Sequence, residues 1–203
     1  MKTKFLLFLP FLFLGAACQY GPRRIDPTGD DAVVSAGVDY SELLEWSGNL
    51  TEQMMASGLL ARDEYAPQPV AMVVSEVQNK TDLAHFPTEL ILSNIRQTLS
   101  KSGKARWVST YGSDGVDSVT RETLDLKKDP LFDSSQIPEA GQATVAKLSL
   151  RTQILWLYSQ GYREAQNTYV MRMWISDVRT GEMVWEGQSN PIAKKFEKGS
   201  VSW

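Results

Sequence analysis

The feature that most limits what this chain can become lies at its start. Met1-Lys-Thr-Lys4 is a short basic lead, Phe5 to Leu14 is an apolar run, and Gly15-Ala16-Ala17 is a small-residue segment that ends at Cys18. The run falls well short of the roughly 20 apolar residues a permanent membrane helix needs, so the stretch reads as an export signal. Cys18 is the only cysteine in the sequence. A lone thiol in an exported protein has no partner for an intramolecular disulfide, and a covalent role at the cleavage point accounts for its position. The expected boundaries are 1–17 for a signal peptide, 18–37 for the modified cysteine and a flexible tether, and 38–203 for one globular domain.

Small residues directly before a cysteine resemble the lipobox of bacterial lipoproteins. The resemblance implies cleavage between Ala17 and Cys18, diacylglycerol on the thiol, and acylation, palmitate for example, of the new N-terminus. One departure is Gly15, which stands where a large aliphatic residue is usual, with Leu14 one place further back. An ordinary signal peptide beside a free cysteine is the plainer alternative. Several acyl chains, at about 0.8 kcal/mol per buried CH₂, suffice to hold a protein on a membrane without a transmembrane helix. Gln19 stands where an Asp commonly retains such lipoproteins at the inner membrane, so the expected location is the outer membrane, facing the periplasm.

The chemistry available to the domain is sparse. The formal charge is −3, and loss of Lys2 and Lys4 with the leader makes the remainder more acidic, which leaves no electrostatic footprint for nucleic acid. His85, just before Phe86-Pro87, is the only histidine, and no HExxH, CxxC, Walker or GxGxxG motif is present. No catalytic residue, cofactor, metal site or small-molecule substrate is therefore expected. Asp114, Asp117, Glu122, Asp125, Asp129 and Asp133 lack the spacing of a calcium loop and read as a solvated face, as do Lys194-Lys195. A glycan hydrolase working through two carboxylates is a minor alternative.

Periodicity places the elements. Gln19 to Ala36 is a Pro-, Gly- and charge-rich tether. Leu43, Leu44, Leu50, Met54 and Met55 recur at helical spacing, with Ser41 as a cap, a break expected at Gly48, and a stop at Gly58. Val70 to Val77 is a strand whose unbroken apolar start predicts burial on both faces, followed by the polar loop Gln78 to Asp82. A helix opens at Pro87-Thr-Glu89, carries Leu90, Ile91, Asn94, Ile95, Thr98 and Leu99, and ends at Ser102-Gly103 before a short strand around Lys104–Thr110. Val116 to Lys128 reads as helical. Ala143–Tyr158, Thr168–Asp177 and Glu182–Gly187 alternate as three strands of a meander, the last two joined by a turn at Arg179-Thr-Gly181. The fold class expected is α/β, a single mixed sheet flanked by helices, with a C-terminal antiparallel three-stranded meander.

Several of these segments together resemble the LpoB family of penicillin-binding protein activators. They are Val77-Gln-Asn79-Lys-Thr81, the helix ending Leu99-Ser-Lys-Ser-Gly103-Lys, Trp107-Val-Ser109, and Ser176-Asp-Val-Arg-Thr180-Gly181-Glu-Met-Val-Trp185. The resemblance spans most of Asp39 to Lys195 and implies an outer-membrane lipoprotein with a domain similar to the N-terminal domain of TolB. Its implied role is to bind a class A penicillin-binding protein and stimulate glycan polymerisation and cross-linking. No residue pattern identifies the partner-binding patch, and Gln19–Ala36 is shorter than the tethers of some members. The alternative is a structural or assembly lipoprotein of the cell envelope or a secretion complex built on a TolB-like domain.

Overall fold

The computed structural model describes residues 23–84, 86–112, 117–126, 129–133, 135, 137 and 143–199. The chain divides into two units, 1–32 and 33–203. In the first, Asp26 accepts hydrogen bonds from the Thr28 amide and hydroxyl, at 2.9 and 2.8 Å, and Arg23 pairs with Asp31. The second holds every helix and strand described below.

Its first helix, α1 (Tyr40–Ala56), begins at Asp39, whose backbone N–H is met by the Glu42 carboxylate reaching back at 2.8 Å. The cap is therefore Asp39 and not the expected Ser41. No break occurs at Gly48. A glycine inside a helix costs about 1 kcal/mol, and the buried stripe of Leu43, Trp46, Leu50 and Met54 on both sides of it outweighs that. Ser57 caps the end, and Gly58 follows at φ 74°, the left-handed stop expected there. Two short 3₁₀ turns, Leu59–Ala61 and Asp63–Tyr65, lead to the sheet.

The sheet is mixed. β1 (Val70–Lys80) lies parallel to both β2 (Ala105–Trp107) and β3 (Leu148–Gln160), with α2 (Thr88–Lys101) between β1 and β2 in sequence and α3 (Ser118–Asp125) between β2 and β3. β3, β4 (Glu164–Asp177) and β5 (Met183–Gln188) then run antiparallel, giving the order β2-β1-β3-β4-β5. The α/β class and the C-terminal meander are as the alternation predicts. A sixth strand, β6 (Ile192–Glu197), was not expected; it pairs with the first half of β4, where β5 pairs with the second. Its alternation is masked because Lys194 stands on the inward side between Ile192 and Phe196. β4 also begins four residues before the expected Thr168, since Gln160–Ala165 pairing narrows the turn to Gly161–Arg163.

One face of the sheet carries the core. Val70, Met72 and Val74 of β1, Leu148, Leu150 and Ile154 of β3, and Tyr169, Met171, Met173 and Ile175 of β4 form one cluster with α1 and α2. On α2 the buried residues are Ile91, Leu92, Ile95 and Leu99, while Leu90, expected on that stripe, is exposed. Asn94 joins the helices by donating to the Ser47 hydroxyl at 2.6 Å. Trp185 lies flat along β5 over Gly187, where a Cβ would come within 2.5 Å of its ring, and reaches the core beside Leu50. Among the described residues no helix is long and apolar enough to cross a membrane.

Candidate functional site

The opposite face of the sheet starts covered and then opens. Ala71 and Val73 are buried there because the chain after β2 crosses β1 at Gly112, which has φ 121° and approaches so closely that a Cβ would lie 2.7 Å from Val73 and 2.8 Å from the Val74 carbonyl. This explains the two-sided burial that the apolar run of β1 predicts. Beyond that crossing a bulge at Ser75 changes the phase of β1. Val74 pairs with Leu150 on the helix side, yet the next register pair is Glu76 with Arg151 on the other. Glu76, Gln78 and Lys80 thus point away from the helices, and Val77 points towards them.

The bulge builds a row of side chains across four strands. Glu76 stands beside Arg151, Arg151 beside Trp174, and Trp174 beside Glu186. Arg151 forms an ion pair with Glu76 while its guanidinium carbon lies 5.3 Å from the centre of the Trp174 ring. Arg172, one row along, pairs with Glu186 and lies 5.8 Å from the same ring. Its row continues through Gln153, whose amide donates to the Gln78 side chain at 2.9 Å, and Gln188. Leu155 and Val170 follow as a half-buried apolar pair. Cations within about 6 Å of an indole are attracted to its face, and each arginine also has a carboxylate, so the patch is internally paired and close to neutral.

Loops at the sheet ends are occupied with their own structure. Asn79 of the Asn-Lys-Thr segment belongs to β1, which runs to Lys80, so the expected loop from Gln78 begins later. Its carboxamide oxygen accepts from the Thr81 amide and hydroxyl at 2.9 and 2.7 Å, and its nitrogen donates to the Leu83 carbonyl at 2.7 Å. In the Thr-Gly-Glu turn Asp177 accepts from the Arg179 and Thr180 amides, and the Thr180 bond foremost holds its carboxyl below the usual range. Gly181, at φ 75°, supplies the turn as the sequence suggests.

Lys194 is not a solvated charge. It sits on the helix side of β6 with 13% of its side chain exposed and reaches Asp39 at 2.9 Å and Glu42 at 2.5 Å. Burial works to raise the Asp39 carboxyl and to lower the Lys194 ammonium, but their mutual bonds, with those from Ser35 to Asp39 and from Lys194 to Glu42, win in both cases. Asp39 is held below and Lys194 above its ordinary value. The incoming chain is fixed beside them, because the Ala36 carbonyl accepts from the Asn167 amide at 3.1 Å and the Tyr169 hydroxyl at 3.4 Å. Lys195, its neighbour, is exposed and pairs with Glu164.

Cys18, Ala17, His85 and Asp114 lie outside the described residues. Among the described residues no group of three or more histidine, cysteine or carboxylate side chains is placed to hold a metal ion. What the sequence does not reveal is the row itself. Alternation puts Arg172 and Trp174 on one side of β4, but only the register and the bulge bring Glu76, Arg151 and Glu186 to them.

The sequence model of the family described as peptidoglycan-synthase activator LpoB matches residues 45–190. Among solved structures, the LpoB C-terminal domain from Salmonella enterica is similar at 17% identity over 74% of this chain and 98% of that one, with a TM-score of 0.41. The Escherichia coli domain gives 15% identity, the same two shares and a TM-score of 0.41. Lipoprotein GNA1162 from Neisseria meningitidis gives 12% identity over 66% of this chain and 88% of that one, with a TM-score of 0.36. No curated protein sequence matches.

Proposed function

The chain belongs to the LpoB family of peptidoglycan-synthase activators, and from that premise we propose that it is a lipid-anchored regulator that binds and stimulates a class A penicillin-binding protein. The anchor is an acylated Cys18 in the outer membrane, exposed to the periplasm, and the contact is the open sheet face around Trp174. The family match carries the reading; the matched stretch contains Glu76, Arg151, Arg172, Trp174 and Glu186. The composition of the face supports a protein partner, since aromatic and arginine side chains held rigidly at a patch centre are the residues on which binding energy concentrates. Activation then works by a conformational bias in the synthase and needs no chemistry here. A tether from Gln19 to Ala36 reaches at most about 60 Å when drawn out, so the synthase must extend towards the outer membrane to be met.

Lipid II polymerisation by each class A synthase of the source organism, with and without the processed chain from residue 18, tests this. A several-fold stimulation of one synthase is expected. Trp174→Ala should weaken binding to it by about 30-fold, a hot-spot loss of about 2 kcal/mol, while leaving the urea midpoint nearly unchanged. No stimulation of any synthase by the folded chain would sink the regulator reading; undiminished binding by the variant would move the contact elsewhere.

A further inference from the structure

The hairpin of β3 and β4 outruns β1, β2 and β5, and only β6 accompanies it. β1 stops pairing at Lys80 opposite Leu155, but β3 and β4 continue together to Gln160 and Ala165, with β6 along one edge. On this projecting ribbon three exposed side chains are apolar or aromatic, standing among the polar Ser159, Gln160, Arg163 and Glu164. Leu157 is 63% exposed, Tyr158 43% and, in the turn, Tyr162 92%. They do not share a face. Leu157 continues the row of Leu155 on the open side, Tyr158 continues that of Trp156 on the helix side, and Tyr162 caps the end. A flat protein surface can cover only one side of such a ribbon, whereas a fluid bilayer can take up both.

Charged groups stand among these residues and behind them. The Arg163 guanidinium lies 5.9 Å from the Tyr162 ring, Lys195 pairs with Glu164, and the Lys198 amide is bonded to the Arg163 carbonyl. Tyrosines and a leucine at a tip, with Arg163 and Lys198 beside them, Glu164 and Glu197 close by, and Lys195 further back on β6, suit a bilayer interface, where aromatic rings lie at headgroup depth and cations meet phosphates. The route of the chain adds to this. Ala36, the residue that ends the tether, is held by Asn167 and Tyr169 at the root of the same ribbon. From Asn167 to Tyr162 is about 17 Å at strand rise, and the 18 residues from Gln19 to Ala36 reach at most about 60 Å when drawn out, which is enough for the tip to meet the surface where Cys18 is anchored.

We infer that the tip formed by Leu157, Tyr158 and Tyr162 dips into the phospholipid surface of the membrane that carries the Cys18 anchor. The inference rests on the anchored reading of Cys18. Three side chains give only weak partitioning alone, but the tether keeps the tip at high local concentration over the bilayer and makes weak partitioning sufficient. The contact leaves the Trp174 row clear of lipid and sets the domain with its hairpin end down.

The test uses lipidated chain in vesicles of phosphatidylethanolamine and phosphatidylglycerol, with an environment-sensitive dye on Gln160→Cys or, separately, on Gln188→Cys. Lipids carrying a spin label should quench the dye at 160 several-fold more than at 188. The triple variant Leu157→Ser, Tyr158→Ser, Tyr162→Ser should abolish the difference while the protein still floats with the vesicles. Failure to float would refute the anchor; flotation with equal quenching at both positions would refute the tip contact alone. A dye at 160 that responds to an added class A synthase and not to lipid would also overturn the inference and assign the tip to protein.

Discussion

On β3, Leu148, Leu150, Thr152 and Ile154 point towards α1 and α2, whereas Ser149, Arg151 and Gln153 point away, and β4 divides in the same manner between Tyr169–Ile175 and Val170–Trp174. The two faces of one sheet are thus held by different forces. On the helix side, side chains lose all contact with water, and each large one contributes about 1.5–3 kcal/mol by burial. On the open side, arginines, carboxylates and an indole hold one another in half-exposed contacts that carry little stability individually. The comparison teaches that holding the fold together and presenting a surface are separable here. The helix side makes the fold, and the open side is free to present a fixed surface.

The neighbours Leu150 and Arg151 give the sharpest way to break this contrast. Leu150→Ala should cost about 3 kcal/mol through the cavity it leaves, whereas Arg151→Ala should cost under about 1 kcal/mol, both read from urea unfolding. Equal losses would show that the open face carries structure as well as surface. Lys194 is the charged exception on the helix side, and its replacement by Ala should cost about 2 kcal/mol because Asp39 and Glu42 would be left together without their cation. Its pH dependence follows from the two shifts. Asp39, lowered on folding, contributes stability above its unfolded value of about 4 that is lost as pH falls through the folded one. Lys194, raised on folding, contributes below about 10.4 and loses it as pH rises through its folded value. The difference in stability between wild type and Lys194→Ala should therefore be a plateau between those limits and shrink outside them.

How much of this was legible varies with the interaction. The strands of the meander are written in their alternation, and β1's double burial in its apolar run. The α1 cap was legible too, in the spacing of Asp39 and Glu42 that forms a capping box, but Ser41 competes as a good cap residue two places on; the ion pairs of Lys194 with both acids, from 155 residues away, were not. β6 is hidden in the sequence because Ile192, Lys194 and Phe196 alternate with Ala193, Lys195 and Glu197, and the inward lysine breaks the apolar pattern.

A smaller effect than those of Leu150 and Lys194, and of opposite sign, concerns Thr152, the polar exception in the core. It is fully buried opposite Val77 and Met173, and its hydroxyl has no hydrogen-bond partner. Thr152→Val should raise stability by about 1 kcal/mol in the same unfolding experiment, since it removes a desolvated hydroxyl at almost constant volume. A loss instead would mean that the hydroxyl is satisfied in solution and that the helix side tolerates polarity better than the contrast holds.

By itself the sequence determined the class of fold and the family resemblance, because both rest on local information: hydrophobic period, turn glycines, and short segments in a fixed order. Tertiary structure alone decided the surface. The bulge at Ser75 turns Glu76 outward, the β3–β4 register sets Arg151 beside Trp174, and the early end of β1 leaves the hairpin tip bare. The physical reason is that strand pairing is a long-range choice. A shift of one residue exchanges every side chain between the faces, and no short stretch of sequence records which neighbour a strand will meet.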